Sequence, residues 1–343
     1  MRHRVILCTS WFRPQLGLDM GIDLLDRLNQ RGFELVAVLG PDEETLPREA
    51  QARGIPYIKL LPEFRWSSAR LRKALDEDWA VQERLAHWVD QVRLYQPEVG
   101  LSYFSAWIPP NLLGVPARGW INFHPAPLPQ LRGFLPEDFA LLWGWKSMRG
   151  TFHIATNEID EGAIIEMSRP ARLNRWDTPD SIMQKVGETA KACVRSALHR
   201  FLTGRSRLTE QKMTPGFMAD YAVFYPWSYL DWTEDSHETL HRKFQTFRGQ
   251  NHRVDLKATV NGDLWRIDQM ELHARKARGT PGDILGNLRG FVVVRTREGL
   301  ALIQGLPFVR DPNLPEYLDR KVQDVVPPGR RPSLFTQADL VGF

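Results

Sequence analysis

Cysteine is nearly missing from this chain. Two thiols, Cys8 and Cys193, stand among 343 residues, which fits neither a disulfide framework nor a metal cluster. Each is expected to be a small buried apolar residue, and without an export signal a reducing cytoplasm is the expected setting. No apolar stretch approaches the roughly 18 residues of a membrane span. Met1-Arg2-His3-Arg4 ahead of Val5-Ile6-Leu7-Cys8 is basic, then apolar. That run is too short for a signal-peptide core and no small-residue cleavage site follows it, so it reads as a first strand. Charge of one sign is lacking too. The net charge is +4 with acids and bases mixed, without the clustered basic face of a dedicated nucleic-acid binder. G-x-G-x-x-G does not follow the first strand, where Cys8-Thr9-Ser10-Trp11 stands instead. NAD or FAD binding therefore has little support.

What is present alternates in the manner of an α/β fold. Strands are expected at 5–8, 34–39, 58–60, 99–103 and 120–124, with helices at 21–28, 43–53 and 76–95. Each later strand ends where the chemistry of a doubly wound sheet sits, at its carboxyl edge. A helix near 138–143, strands at 151–155 and 163–167, and one long helix from Thr178 or Asp180 to Phe201 follow, stopped by Gly204. Then the texture changes. Short alternating runs at 258–260, 264–267, 291–294 and 300–303 read as strands, with one helix near 238–247. The expected division is a catalytic domain over 1–203, a linker over 204–216 and a smaller β-rich domain over 217–343.

One stretch carries the candidate chemistry: Asn122-Phe-His124-Pro-Ala-Pro-Leu-Pro-Gln-Leu-Arg132-Gly133. Asn122 and His124 are i and i+2 on a strand, so both side chains point to one face. Pro125, Pro127 and Pro129 stiffen the exit from the strand, and Gly133 allows a tight turn. A rigid loop leaving a strand end is a good place for chemistry. Some 35 residues on, Gly150-Thr-Phe-His153-Ile-Ala-Thr156-Asn157-Glu-Ile159-Asp160-Glu-Gly162 runs from a strand into a polar loop. A carboxylate there, brought beside His124, would raise the proton affinity of the imidazole. An Asx-turn is the plain alternative for Asp160. His153 reads as structural, with the substrate as its other possible neighbour. Arg132 either braces the loop or meets an anionic substrate.

These residues form the pattern N-x-H-P-x-x-L-P-x-x-R-G followed by an Asp two residues before a Gly. The pattern resembles the formyltransferases that use N10-formyltetrahydrofolate, most strongly over about residues 100–170. The resemblance implies a Rossmann-like, mostly parallel sheet with helices on both faces, and a smaller C-terminal β-rich, OB-like domain. It implies catalytic roles for Asn122, His124 and Asp160 in formyl transfer to an amine through a tetrahedral intermediate, with no metal. Asn122 would donate to the oxyanion. His124, protonated, would stabilise the same charge and return a proton to the folate nitrogen. Asp160 would orient His124 and accept the proton lost by the amine. In such enzymes the pterin lies in an apolar slot between two loops. The matching positions are Phe104, Ala106, Trp107 and Ile108, with Thr156, Asn157 and Ile159 opposite; a hydrophobic core turn is the competing reading of the first loop.

The acceptor is the open question. Tyr229-Leu-Asp-Trp232 and Pro281-Gly-Asp-Ile-Leu285 resemble the entry segment and hairpin of members with the extra domain. A methionyl-tRNA enzyme would carry a basic loop after the second strand, yet here Gly40-Pro-Asp-Glu-Glu-Thr-Leu-Pro-Arg48 is acidic at its start, the wrong sign for phosphate. After Gly204 about 20 Lys and Arg face about 17 acids, short of a nucleic-acid-binding balance. Glu137 and Asp138 follow Arg132-Gly133 where the tRNA enzymes favour small residues; they either anchor a cationic amine or cap the helix. The expectation is a small-molecule amine acceptor, an amino-sugar nucleotide or a biosynthetic amino-acid intermediate. Methionyl-tRNA is the alternative, and hydrolysis of the donor or a non-catalytic folate-binding module ranks below both.

Overall fold

The structure is a computed structural model. It describes residues 2–9, 14–30, 32–41, 44–103, 107–205, 207–212, 218–219, 224–248, 254–260 and 262–307, without the side chains of 14–18, 20, 218–219, 225 and 307. In chain order the elements are β1 (His3–Thr9), α1 (Pro14–Leu28), β2 (Phe33–Gly40), α2 (Thr45–Ala52), β3 (Tyr57–Lys59), α3 (Ser68–Glu77), α4 (Trp79–Arg93), β4 (Val99–Tyr103), α5 (Pro110–Leu113) and β5 (Trp120–His124). There follow β6 (Arg132–Gly133), α6 (Pro136–Leu142), β7 (Ser147–Met148), β8 (Thr151–Ile154), β9 (Ile164–Met167), β10 (Ala171–Arg172), α7 (Pro179–Lys191) and α8 (Val194–Thr203). The remainder comprises β11 (Met218–Ala219), β12 (Tyr229–Leu230), α9 (His237–Phe247), β13 (Lys257–Val260), β14 (Asp263–His273), β15 (Ile284–Leu288), β16 (Phe291–Thr296) and β17 (Gly299–Pro307).

The chain forms two compact units. One consists of Met1–Gly133, Ser147–Arg172 and Met183–Met218; the other takes Phe134–Lys146, Leu173–Ile182 and the chain from Ala219 on. The expected sequential cut near residue 204 thus differs from the division made by the contacts. Composition cannot assign 134–146 and 173–182, because α6 packs against α9, about a hundred residues later.

The first unit is built on a seven-stranded sheet in the order β3-β2-β1-β4-β5-β8-β9. The first five strands are parallel, and β8 and β9 run antiparallel to their neighbours. Apolar runs such as Val5–Cys8 belong in strands covered on both faces. Ile6 and Cys8 pack with Trp88, Val89 and Val92 of α4. Val5 and Leu7 alternate to the other face, and α1 lies against β1 and β2 with Leu24, Leu25 and Leu28 buried. The mostly parallel sheet with helices is therefore the one expected. Cys8 is a core residue. Cys193 is half-buried, and burial pushes its thiol up to about 11.

Two helices read as continuous are broken. The expected span 76–95 is divided at Asp78, whose backbone is extended (φ −116°, ψ 99°). Its carboxylate accepts from the backbone N–H of Ala80 at 3.0 Å and of Val81 at 3.2 Å. A short acidic side chain competes for helix N–H groups and so begins a new helix. The expected helix from Thr178 to Phe201 is likewise two, α7 and α8, with Cys193 N–H turned to Ala190 O in a tight three-residue closure.

The second unit carries a six-stranded sheet in the order β12-β13-β14-β17-β16-β15, antiparallel except for the β12–β13 pair. Phe291, Val293, Leu300 and Leu302 form an apolar cluster on it. The expected strands at 258–260, 264–267, 291–294 and 300–303 all lie inside longer ones, and β15 begins within the 281–285 segment likened to a hairpin and pairs with β16. Among the described residues no helix is long and apolar enough to cross a membrane.

Asp78→Ala removes the cap of α4. It is expected to lower the unfolding free energy by about 1 kcal/mol, measured by urea denaturation, with Asp78→Ser restoring most of the loss.

Candidate active site

The site lies at the carboxyl ends of β4 and β5, in the first unit. Its backbone is set by pairing. Ser102 faces Asn122 across the parallel β4–β5 pair, and Asn122 faces His153 across the antiparallel β5–β8 pair. The next residues along, Tyr103, Phe123 and Phe152, fall on the opposite face. Tyr103 and Phe123 stack at 4.5 Å, with Phe152 at 5.1 Å from Phe123. Because strand side chains alternate, this apolar stack fixes which face the polar row occupies.

The loop leaving β5 is held from β8. Thr151 Oγ1 donates to Ala126 O at 2.7 Å and accepts from Leu128 N–H at 3.2 Å. The loop returns at Arg132-Gly133. Arg132 is buried and Nη1 donates to Glu161 Oε1 at 2.8 Å. Glu161 adjoins Asp160, so this bond ties the end of the β5 loop to the loop that carries Asp160.

Asp160 is 9% exposed and has left-handed backbone (φ 55°). Two devices hold it there. Gln211 Nε2 donates to Asp160 O at 2.8 Å and to Gly162 O at 2.7 Å. A Cβ on Gly162 would lie 1.8 Å from Ile154 O, so only glycine permits the loop to approach β8 this closely. Gln211 falls within the segment expected to be a linker, and Thr209 there bridges to Ile164. Residues 207–212 are thus a strap over the site loop.

The Asp160 carboxylate joins the motif residues. Oδ2 accepts from Gly133 N–H at 3.0 Å and lies 3.3 Å from His124 Nδ1. Oδ1 lies 3.4 Å from His153 Nε2 and 3.5 Å from Asn122 Nδ2. Burial alone would raise the Asp160 pKa; His124, His153 and the Gly133 N–H outweigh it and hold the carboxyl well below the usual range. Burial lowers the His124 pKa, against the opposing pull of Asp160. His124 is 4% exposed. Its Nε2 lies 2.8 Å from Leu131 O, and a carbonyl only accepts, so Nε2 carries the proton. The neutral ring then turns a bare Nδ1 toward Asp160, where a proton is readily shared. The sequence reading lets His124 reach a leaving nitrogen directly. In the structure Nε2 faces Leu131 O and Nδ1 faces Asp160.

Trp107 and the 156–160 loop are adjacent. Trp107 Nε1 donates to Asn157 O at 3.2 Å, Arg72 donates to the same oxygen, and the Arg72 guanidinium lies 4.8 Å from the Trp107 ring centroid. Ile108 is buried in the main apolar cluster, so its side chain serves the core. Ile159 is half-buried, and Thr156 and Asn157 are exposed. Phe104 and Ala106 lie outside the described residues. Glu137 and Asp138 belong to the second unit, buried in the first turn of α6. Neither is the N-cap, which is Leu135 without a side-chain cap bond. Their negative charge suits the positive end of the helix. Ser102, His153 and Gln211 were not singled out as functional from sequence.

Comparison with known proteins decides the family. Residues 21–198, more than half of the chain, match the formyl transferase family. The chain belongs to it. Consistent with formyl transfer, the methionyl-tRNA formyltransferase of Bacillus velezensis is 22% identical over 299 residues, covering 83% of this chain and 86% of that protein. The N-formyltransferase from Helicobacter canadensis shares the fold, with a TM-score of 0.57 at 13% identity over 89% of this chain and 100% of that one. HypX from Aquifex aeolicus gives 0.55 at 19% identity over 88% of this chain, which spans 44% of the HypX chain. This formyltransferase is accordingly a formyl-transferring enzyme, and Asn122, His124 and Asp160 lie inside the matched span.

Two outcomes test this geometry. Gln211→Leu leaves two buried carbonyls without their donor and is expected to cost about 1–3 kcal/mol in urea unfolding. The second concerns pH. A His whose folded pKa is lowered binds its proton first in the unfolded chain, so the folded state loses stability as pH falls below about 6.5. Asp160, also lowered, contributes stability above about pH 3.9 that is lost as pH falls further. Stability should therefore decline from pH 7 to pH 5, and His124→Gln should flatten part of that decline; an unchanged slope would refute the assignment.

Proposed function

We propose that this enzyme takes a formyl group from N10-formyltetrahydrofolate and passes it to the primary amine of a small molecule. The observation that carries the chemistry is the buried, ionised Asp160 carboxylate, within reach of both His124 and Asn122. Asn122 Nδ2 donates to the formyl oxygen as negative charge gathers there. A donor of this kind is worth about 3–4 kcal/mol. Asp160 accepts the proton lost by the attacking amine and shares it with His124 Nδ1. The pair then holds that proton for return when the old C–N bond breaks.

The chain's residues fit a folate donor. Trp107 offers an aromatic face beside a loop of backbone amides and carbonyls, and a pterin presents a flat ring with an amide-like edge. Trp107, the backbone of Ile108, and Thr156, Asn157 and Ile159 would hold it; Phe104 and Ala106 are proposed on sequence alone. When bound, the donor supplies the formyl carbon and a nitrogen leaving group. In support, the HypX structure was obtained with tetrahydrofolic acid and the Helicobacter canadensis structure with folinic acid.

For the acceptor we favour an amino-sugar nucleotide or an amino-acid intermediate, with Glu137 or Asp138 as candidates to receive a cationic group and Arg132 held by Glu161. The acidic start of the loop after β2 and the mixed charge beyond Gly204 support this. The Helicobacter canadensis structure contains dTDP-3-aminofucose. Methionyl-tRNA is the second reading, favoured by the match to an enzyme of that name over 83% of this chain and 86% of that protein.

Single-turnover mixing with N10-formyltetrahydrofolate, an amine panel and methionyl-tRNA should give formyl transfer to one small amine. Transfer to charged tRNA alone would select the second reading. Formate released to water alone would mean a hydrolase, and no turnover refutes an enzyme. In the productive pair, Asn122→Ala should lower the rate about 100- to 1,000-fold, and His124→Ala should abolish transfer while folate binding remains detectable by calorimetry.

A further inference from the structure

We propose that Ser102 and His153 are positioning residues that fix the orientation of the Asn122 amide. The inference rests on the formyl-transfer reading of Asn122, since it concerns which end of that amide meets the formyl oxygen. A carboxamide has a donor end and an acceptor end of nearly the same shape. Turned the wrong way, Asn122 would present an oxygen to a developing negative charge and repel it.

The row of bonds across β4, β5 and β8 takes its direction from His153, and the Ser102 hydroxyl, which can donate or accept, completes it. His153 Nδ1 lies 3.0 Å from Ile154 O. That carbonyl can only accept, so Nδ1 carries a proton, and in the ring form with one proton Nε2 is a bare acceptor. Asn122 Nδ2, at 3.0 Å from Nε2, is therefore the amide's donor end on the His153 side. The other end, Oδ1, accepts from Ser102 Oγ at 2.7 Å. A flipped amide would set an oxygen against the His153 lone pair. Nδ2 then retains one further proton. It points toward Asp160 Oδ1 at 3.5 Å, a long contact that leaves it available to a stronger acceptor.

Ser102 touches neither His124 nor Asp160 in the bonds that hold Asn122. Ser102 is fully buried and His153 is 2% exposed. Ser102 acts on the reaction only through Asn122, whereas His153 also touches Asp160. Ser102 is for that reason the cleaner probe. The aromatic stack of Tyr103, Phe123 and Phe152 on the reverse face holds the register, so Ser102→Ala removes an oxygen without moving the strands.

The test is a double-mutant cycle read by two methods. Formyl loss from N10-formyltetrahydrofolate is followed in single turnover with hydroxylamine as probe amine, for wild type, Ser102→Ala, Asn122→Ala and the double variant. Ser102→Ala should slow it about tenfold in the wild-type background and less than twofold when Asn122 is already gone, with folate affinity unchanged. Equal losses in both backgrounds, or no loss, overturn the proposal. In parallel, the Asn122 side-chain amide is observed in 15N-asparagine-labelled protein, assigned by its disappearance in Asn122→Ala. Its resonances should shift in Ser102→Ala and in His153→Phe; unmoved resonances overturn the proposal. If wild type releases no formyl group, the formyl-transfer reading fails, and the spectrum alone still decides whether this pair orients the amide. His153→Phe serves in both assays should Ser102→Ala not fold.

Discussion

A carboxylate shut away from water keeps its charge only if donors replace the water it lost, and much of this active site is arranged around that requirement. Asp160 accepts the Gly133 N–H at one oxygen and has the Asn122 amide beside the other, with the His124 and His153 rings against the same pair. Those partners come from β5, the loop after it and β8, brought together by the pairing of β5 with β8. The left-handed turn of Asp160, the glycine at 162 and the grip of Gln211 keep the carboxylate inward against its tendency to swing out and hydrate. Arg132 and Glu161 tie the same loop to the end of the β5 loop.

The motif was legible because its chemistry is local. Asn122 and His124 share a face by strand alternation, and prolines and a glycine mark the loop that follows. Asp160 came with the family pattern, and the structure places its carboxylate against His124. What could not be read was pairing across strands. Ser102 is twenty residues from Asn122 and His153 thirty-one, and only the order β4-β5-β8 makes them neighbours. His153 was read mainly as structural; in the structure it bonds the Asn122 amide. Gln211, in a stretch whose composition suggests a linker, bonds the backbone of a loop some fifty residues earlier.

The misread helices have a common cause. Period and propensity continue smoothly through Asp78 and through Cys193, and neither break depends on an apolar residue out of place. At Asp78 a side chain takes helix N–H groups for itself. At Cys193 the backbone closes over three residues instead of four. Hydrogen bonds that compete with the helix ladder are nearly equal to it in energy, so hydrophobic patterning does not register them.

The chain passes between its two compact units five times before residue 220. Neither unit is a continuous stretch of polypeptide, and 134–146 and 173–182 lie on either side, in sequence, of the stretch that holds Asp160. One proteolytic nick, or one gene truncation after α8, would therefore not liberate a catalytic module. It would strip the strap that carries Gln211 and leave two orphaned segments without their partner helix. In heredity as in the test tube, these two units are inseparable by a single cut: the second can be remodelled residue by residue, but it cannot be traded whole by simple recombination at a linker.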